Sequence, residues 1–151
     1  MEKTIKSSSI KQTNQIACDF AKHLNPKNII GLVGDLGAGK TCFVKGVAGG
    51  LGCEDLTLVN SPTFTIVNEY KTKKNLLFHF DLYRLHNISA FDTIGFYDYV
   101  DRGGIILIEW INNVDHVERD LDVVIEIINE NERQFKFVSC SKEGEKILTR
   151  L

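Results

Sequence analysis

The stretch NIIGLVGDLGAGKT, residues 28–41, decides how the rest of the chain is read. Its first half, NIIGLV, is a short continuous apolar run of the kind that forms a strand buried on both faces. Its second half fits GxxxxGK[ST], with Gly34, Gly39, Lys40 and Thr41 at the fixed places. Chemistry explains the residue types. Glycines let the main chain double back so that several N–H groups point into one concavity, which a polyphosphate enters without meeting a Cβ. The helix that follows adds the partial positive charge of its N-terminus. Lys40 is then placed to reach the β- and γ-phosphates, and the Thr41 hydroxyl to ligate Mg²⁺. Taken alone, such a loop defines a nucleotide pocket and not a reaction.

The flanking sequence has an α/β rhythm. From Thr13, the expected N-cap, the apolar residues Ile16, Ala17, Phe20, Ala21 and Leu24 recur at helical spacing until Asn25-Pro26 breaks the pattern. After the loop, Thr41 to Leu51 reads as a helix with Phe43, Val44, Val47, Ala48 and Leu51 on one side, and Gly52 stops it. Residues 64–70 (FTIVNEY) and 76–83 (LLFHFDLY) read as strands joined by the polar turn KTKKN. A short helix is expected from Ser89 to about Ile94, and IILIEW is another apolar strand, ending at an acid. Residues 122–128 and 135–140 alternate and flank NENERQ, which predicts a hairpin, and a short helix should follow Lys142. The expected fold is a three-layer α/β P-loop NTPase fold. Its central sheet is mixed and largely parallel, its C-terminal hairpin antiparallel, and residues 1–151 form one domain.

Bulk properties narrow the function classes. A net charge of −2 lacks the basic excess of a free-standing nucleic-acid binder. Cys18, Cys42, Cys53 and Cys140 make no CxxC pair and have no histidine at metal-ligand spacing, so free thiols in a reducing cytosol are expected. The N-terminus lacks the apolar segment of a signal peptide, and no apolar run approaches the roughly 18–20 residues of a membrane span. The expectation is a cytoplasmic protein.

A P-loop enzyme also needs an acid at the end of a neighbouring strand for Mg²⁺ or its water. Glu109 ends GIILIEW, the Walker B pattern of aliphatics followed by an acid, and Asp81 ends LLFHFD. The pattern leaves the division of labour between them open. Thr63, in NSPTF, offers a hydroxyl able to sense a γ-phosphate as switch threonines do. The GTPase look-alikes at 101–104 and 112–115 fail. Asparagine stands where the guanine-reading lysine belongs, and Gly104 leads directly into a buried strand. The five arginines are scattered, which argues against the arginine-rich lid of a nucleotide kinase.

GDLGAGKT, NSPTFTIVNEY, HFDLYRL, the GFYDY segment at 95–99 and LIEW occur in this order. Together they resemble the bacterial TsaE (YjeE/YdiB) family, small P-loop ATPases of tRNA threonylcarbamoyladenosine biosynthesis, from about Thr13 to about Arg133. The resemblance implies ATP binding with Mg²⁺, slow hydrolysis in isolation, and action with TsaB-like and TsaD-like partners. That assembly modifies the adenosine next to the anticodon of certain tRNAs, so tRNA is engaged indirectly. By position, Gly37, Ala38, Gly39, Lys40 and Thr41 would contact the phosphates, with Cys42 next to them. Thr41 and Glu109 would serve the metal, and Lys40, Asp81 and Glu109 the chemistry. Thr63 would belong to a switch-like loop, and Trp110 would pack beside the site. Lys11 and Thr13 would lie near the base, and Arg133 would contact the nucleotide. Two departures from the pattern, Ile111 where proline is common and Cys42 where threonine is common, remove no ligand. Two other readings stand beside this one: a small-molecule or nucleotide kinase, and a nucleotide-gated docking module whose hydrolysis is incidental.

Overall fold

The computed structural model describes residues 1–85 and 88–151. Strands β1 (Glu2–Ser7), β2 (Ile29–Val33), β3 (Val67–Lys71), β4 (Leu76–Asp81), β5 (Ile105–Glu109), β6 (Leu121–Ile127) and β7 (Arg133–Ser139) form one sheet in the order β1-β7-β6-β2-β5-β4-β3. The helices are α1 (Ile10–Ala21), α2 (Lys40–Gly50), α3 (Ile88–Thr93), α4 (Phe96–Asp101) and α5 (Lys142–Arg150). The expected mixed sheet is present. Its parallel part is confined to the centre, where β6, β2, β5 and β4 pair in parallel, while β3 at one edge and β7 and β1 at the other are antiparallel.

The central strands are apolar on both faces because both faces are covered. On one face Leu32, Leu77, Leu107 and Val123 pack with Phe20 of α1, Val44 and Val47 of α2 and Ile147 of α5. On the other, Phe78, Phe80, Ile106 and Ile108 pack with Phe91 of α3, Phe96 of α4 and Ile111. The result is the three-layer arrangement. Phe43 of α2 stacks on Phe135 at 5.6 Å and lies 5.8 Å from Phe20, which fixes the phosphate-loop helix to the sheet. Helices α1 and α2 approach so closely that a Cβ at Gly46 would lie 2.6 Å from the Ala17 Cβ.

Several boundaries differ from expectation. Helix α1 starts at Ile10, and its N-cap is Ser9, whose hydroxyl accepts from the Gln12 N–H at 3.0 Å. Gln12 reaches back to the Ser8 N–H at 2.7 Å, a reciprocal cap that needs no apolar residue and so escapes a search for hydrophobic period. Thr13 is therefore inside the helix and not at its cap. Strand β1 was not expected: EKTIKS has too few apolar residues to read as a strand, and it gains its partners only from β7. The stretch 64–66 is a turn, with β3 starting at Val67, and Ile66 takes a left-handed φ of 71°. Helix α4 lacks a legible period. The late hairpin pairs 121–127 with 133–139, a span that begins earlier in each strand than the alternation indicates. The expected helix after Gly39, the buried strands at 28–33 and 105–109 and the tail helix are all present within a residue or two.

Candidate nucleotide site

The site lies at the C-terminal ends of the parallel strands β2, β4 and β5, where ligands collect in open α/β sheets. The loop leaves β2 and enters α2 through Gly37 and Gly39, with φ values of 80° and 107°. A Cβ at either glycine would meet nothing within 4 Å, so the requirement there is for conformation and not for space. Gly39 caps α2 with no side-chain hydrogen bond, leaving the first-turn N–H groups to a ligand.

Lys40 is buried. Its ammonium donates to the carbonyls of Gly34 at 2.6 Å and Asp35 at 3.0 Å, and lies 4.1 Å from the centre of the Trp110 ring. Burial pulls its pKa down, and the carboxylates of Glu109, Asp81 and Asp35 oppose that shift. The cation thus sits where several negative groups converge, held by main-chain carbonyls that a phosphate can replace.

Asp81 and Glu109 are register partners on neighbouring parallel strands, and both are buried. Alternation turns each toward the α2 face: Asp81 shares a face with Leu77, and Glu109 with Ile105 and Leu107. Glu109 Oε1 accepts from the Thr41 hydroxyl at 2.8 Å and from the His79 imidazole at 2.7 Å. Asp81 Oδ2 accepts from Ser61 and Thr63, each at 2.8 Å, and Oδ1 accepts from the Tyr83 N–H at 2.9 Å. Trp110 has a left-handed φ of 59° immediately after β5, and its N–H donates to Leu32 O at 3.1 Å. The end of β5 is thereby tied to the strand that launches the loop, and the strained residue marks the site.

These residues line a cavity of about 380 Å³ that includes Gly37, Gly39, Lys40, Thr41, Cys42, Thr63, Asp81, Glu109 and Trp110. Other expected contacts fall around it. Arg133 lies against the loop from the hairpin side, its Nε donating to Ala38 O at 3.1 Å and its Nη1 to Asn129 O at 2.7 Å. Lys11 lines a separate groove between α1 and α2, together with Asn14 and Lys45. Thr13 is buried with its hydroxyl 2.8 Å from that of Ser7, and it does not reach the cavity. Cys42 faces Asn14 at 3.6 Å, and burial pushes its thiol up, away from reactivity.

Sequence reasoning missed Ser61, His79 and Tyr83. Ser61 and His79 stand inside SPTF and HFDLYRL, and the alternation of β4 already puts His79 on the face of Asp81. Among the described residues, no group of three or more His, Cys, Asp or Glu side chains forms a metal cage. Mg²⁺ needs none, because it is commonly held by one or two protein oxygens together with phosphates and water. Thr41 and Glu109 provide that kind of partial donor set.

A loop of this form at the head of a helix, facing acids at two neighbouring parallel strand ends, defines a P-loop protein. Comparison with known proteins agrees and is more specific. The family model described as "Threonylcarbamoyl adenosine biosynthesis protein TsaE" matches residues 7–136. The tRNA threonylcarbamoyladenosine biosynthesis protein TsaE of Bacillus subtilis is 34% identical over 151 residues, covering 99% of this chain and 91% of its own. Its namesake from Aquifex aeolicus is 38% identical over 130 residues, covering 85% of this chain and 90% of its own. The crystal structure of Bacillus subtilis YdiB superposes with a TM-score of 0.79 at 30% identity, over 99% of this chain and 93% of that one. The chain belongs to the TsaE family, whose members take part in tRNA threonylcarbamoyladenosine biosynthesis.

Proposed function

We propose that this chain is a cytoplasmic Mg²⁺-dependent ATPase. It hydrolyses ATP to ADP and phosphate, and this supports turnover of TsaB-like and TsaD-like partners as they form N6-threonylcarbamoyladenosine next to the anticodon of tRNAs. One observation carries the reading: Lys40, Thr41, Asp81 and Glu109, from two strand ends and one helix start, line a single cavity beneath the phosphate loop. The pathway follows from the family.

Lys40 exchanges the carbonyls of Gly34 and Asp35 for phosphate oxygens, and the loop N–H groups take the others. Mg²⁺, when bound, neutralises charge on the phosphates. Thr41 and Glu109 would hold it, through a hydroxyl and a carboxylate that are bonded to each other at 2.8 Å. Asp81, oriented by Ser61, Thr63 and the Tyr83 N–H, directs water in line with the γ-phosphorus. Among the described residues, no arginine lines the cavity, so hydrolysis by the isolated chain is slow and a partner completes the site.

Product analysis tests this directly. With ATP and Mg²⁺, the chain releases ADP and free phosphate. A phosphorylated small acceptor would instead make it a kinase. Lys40→Ala abolishes ATP-dependent modification of tRNA in the reconstituted system, and normal modification with that variant would overturn the proposal. Glu109→Ala separates hydrolysis from docking: if it binds ATP and still supports full multiple-turnover modification, the chain is a nucleotide-gated docking module.

A further inference from the structure

We infer that His79 is a positioning residue for Glu109: its imidazole fixes Oε1 of the carboxylate beside Thr41, so that Oε2 is presented to the metal. The inference rests on the proposed Mg²⁺-dependent ATPase reading and deepens it.

His79 is fully buried, on the face of β4 between Leu77 and Asp81, and is paired in register with Leu107. A leucine or methionine would fill this place at no polar cost. An imidazole there loses its hydration and must recover hydrogen bonds inside the protein. Its one short bond is to Glu109 Oε1 at 2.7 Å. A carboxylate oxygen only accepts, so the imidazole Nε2 carries the hydrogen. On the other side of the ring, Nδ1 lies 3.5 Å from the Tyr70 hydroxyl. That hydroxyl lies 3.3 Å from Asn60 O and accepts from the Asn68 amide at 3.2 Å. The ring is therefore enclosed by the core and tied by its one short bond to Glu109.

The consequence falls on Glu109. Both of its hydrogen bonds, from His79 and from Thr41, converge on Oε1. Among the described residues, no hydrogen bond to Oε2 is found, which leaves that oxygen of the cavity-lining carboxylate available to the metal. Without His79, the carboxylate could rotate about its last torsion and exchange the two oxygens. The same network touches the second acid, because Asn60 directly precedes Ser61, which donates to Asp81. This arrangement parallels metal sites in which an outer residue fixes the ligating group, where its loss costs about 10–100-fold in metal affinity or activity.

The test compares three variants. In His79→Gln the amide nitrogen reaches the place of Nε2, in His79→Asn it reaches only that of Nδ1, and in His79→Leu there is no donor. Binding of a non-hydrolysable ATP analogue is measured by fluorescence while Mg²⁺ is titrated, beside kcat and KM for ATP. For His79→Asn and His79→Leu, the Mg²⁺ concentration at half effect should rise about tenfold and kcat should fall about tenfold, with metal-free analogue affinity changed by less than about twofold. His79→Gln should stay within about threefold of the unmodified chain in each quantity. Equal behaviour of the Gln, Asn and Leu variants, whether all normal or all impaired, would overturn the inference by reducing His79 to packing. A second measurement needs no His79 variant. In ¹⁵N-histidine spectra of the nucleotide-free protein, a protected Nε2–H resonance should be present and should disappear in Glu109→Ala. A resonance unaffected by that change would also overturn the inference. If the unmodified chain shows no Mg²⁺-dependent tightening of the analogue, the ATPase reading itself fails, and the inference with it.

Discussion

Both ends of β2 carry a part-buried polar cluster, and both open on a cavity. At the N-terminal end, the Asp120 carboxylate accepts from the Asn28 amide and the Ile29 N–H, each at 3.1 Å, and from Ser141 at 2.9 Å. Beside it lies a cavity of about 500 Å³, larger than the 380 Å³ space under the phosphate loop. Two cations line it, Lys27 and Arg119, and Arg119 is already committed, gripping Asp122 through two bonds of 2.6 and 2.8 Å. At the C-terminal end, by contrast, Lys40 is held by replaceable carbonyls, and the two acids accept mostly from hydroxyls that can rotate. The first cluster uses its polar groups to join residues 28, 120 and 141. The second keeps opposite charges close together and exchangeable. Exchangeable chemistry, and not cavity size, separates a binding site from a structural knot.

Mutations should separate the two ends. After the loss expected for Lys40→Ala, the largest effect is expected from Thr41→Ala, which removes the proposed metal oxygen and a bond to Glu109. Steady-state hydrolysis should fall roughly hundredfold, while the thermal midpoint moves little. Asp120→Ala should do the reverse. It strands the Asn28 and Ile29 donors at a cost of about 1–3 kcal/mol, read by urea denaturation, with nucleotide affinity unchanged. Loss of nucleotide affinity in folded Asp120→Ala would break the comparison. Arg133→Ala tests the loop from outside, because it deletes the bond to Ala38 O. Analogue affinity should weaken by about fivefold, equivalent to one hydrogen bond of about 1 kcal/mol.

The smallest effect is far from both ends. Arg102 beside Glu69, at 2.6 and 3.0 Å, holds that carboxyl below its ordinary value of 4.5. A depressed acid stabilises the fold above its unfolded pKa, and that contribution is lost as pH falls through the folded one. Both side chains are over 40% exposed, so solvent screens the pair. Glu69→Gln should therefore melt only slightly lower than the unmodified chain at neutral pH, and the difference should close as the pH drops well below 4.5.

Much of the site was legible because it depends on local order. Gly37, Gly39, Lys40 and Thr41 owe their roles to one turn and the start of one helix. Glu109 and Asp81 owe theirs to ending apolar strands, and sequence places both. Thr13 was misread as a cap because a helix can begin on side-chain hydrogen bonds before its apolar period starts. His79 and Ser61 were visible as letters in motifs, but their partners lie 30 and 20 residues away. Strand β1 escaped because the pairing that creates it comes from β7.

The sequence by itself determined that a phosphate loop follows a buried strand, that acids end two other apolar strands, and which family the chain resembles. These are properties of short segments, set by backbone freedom, charge and hydrophobic period. Only the tertiary structure decided that β4 and β5 are neighbours in a register that pairs Asp81 with Glu109. It also decided that Thr41 and His79 meet on one oxygen of Glu109. Strand order and register are set by packing across the whole sheet, which no segment encodes alone.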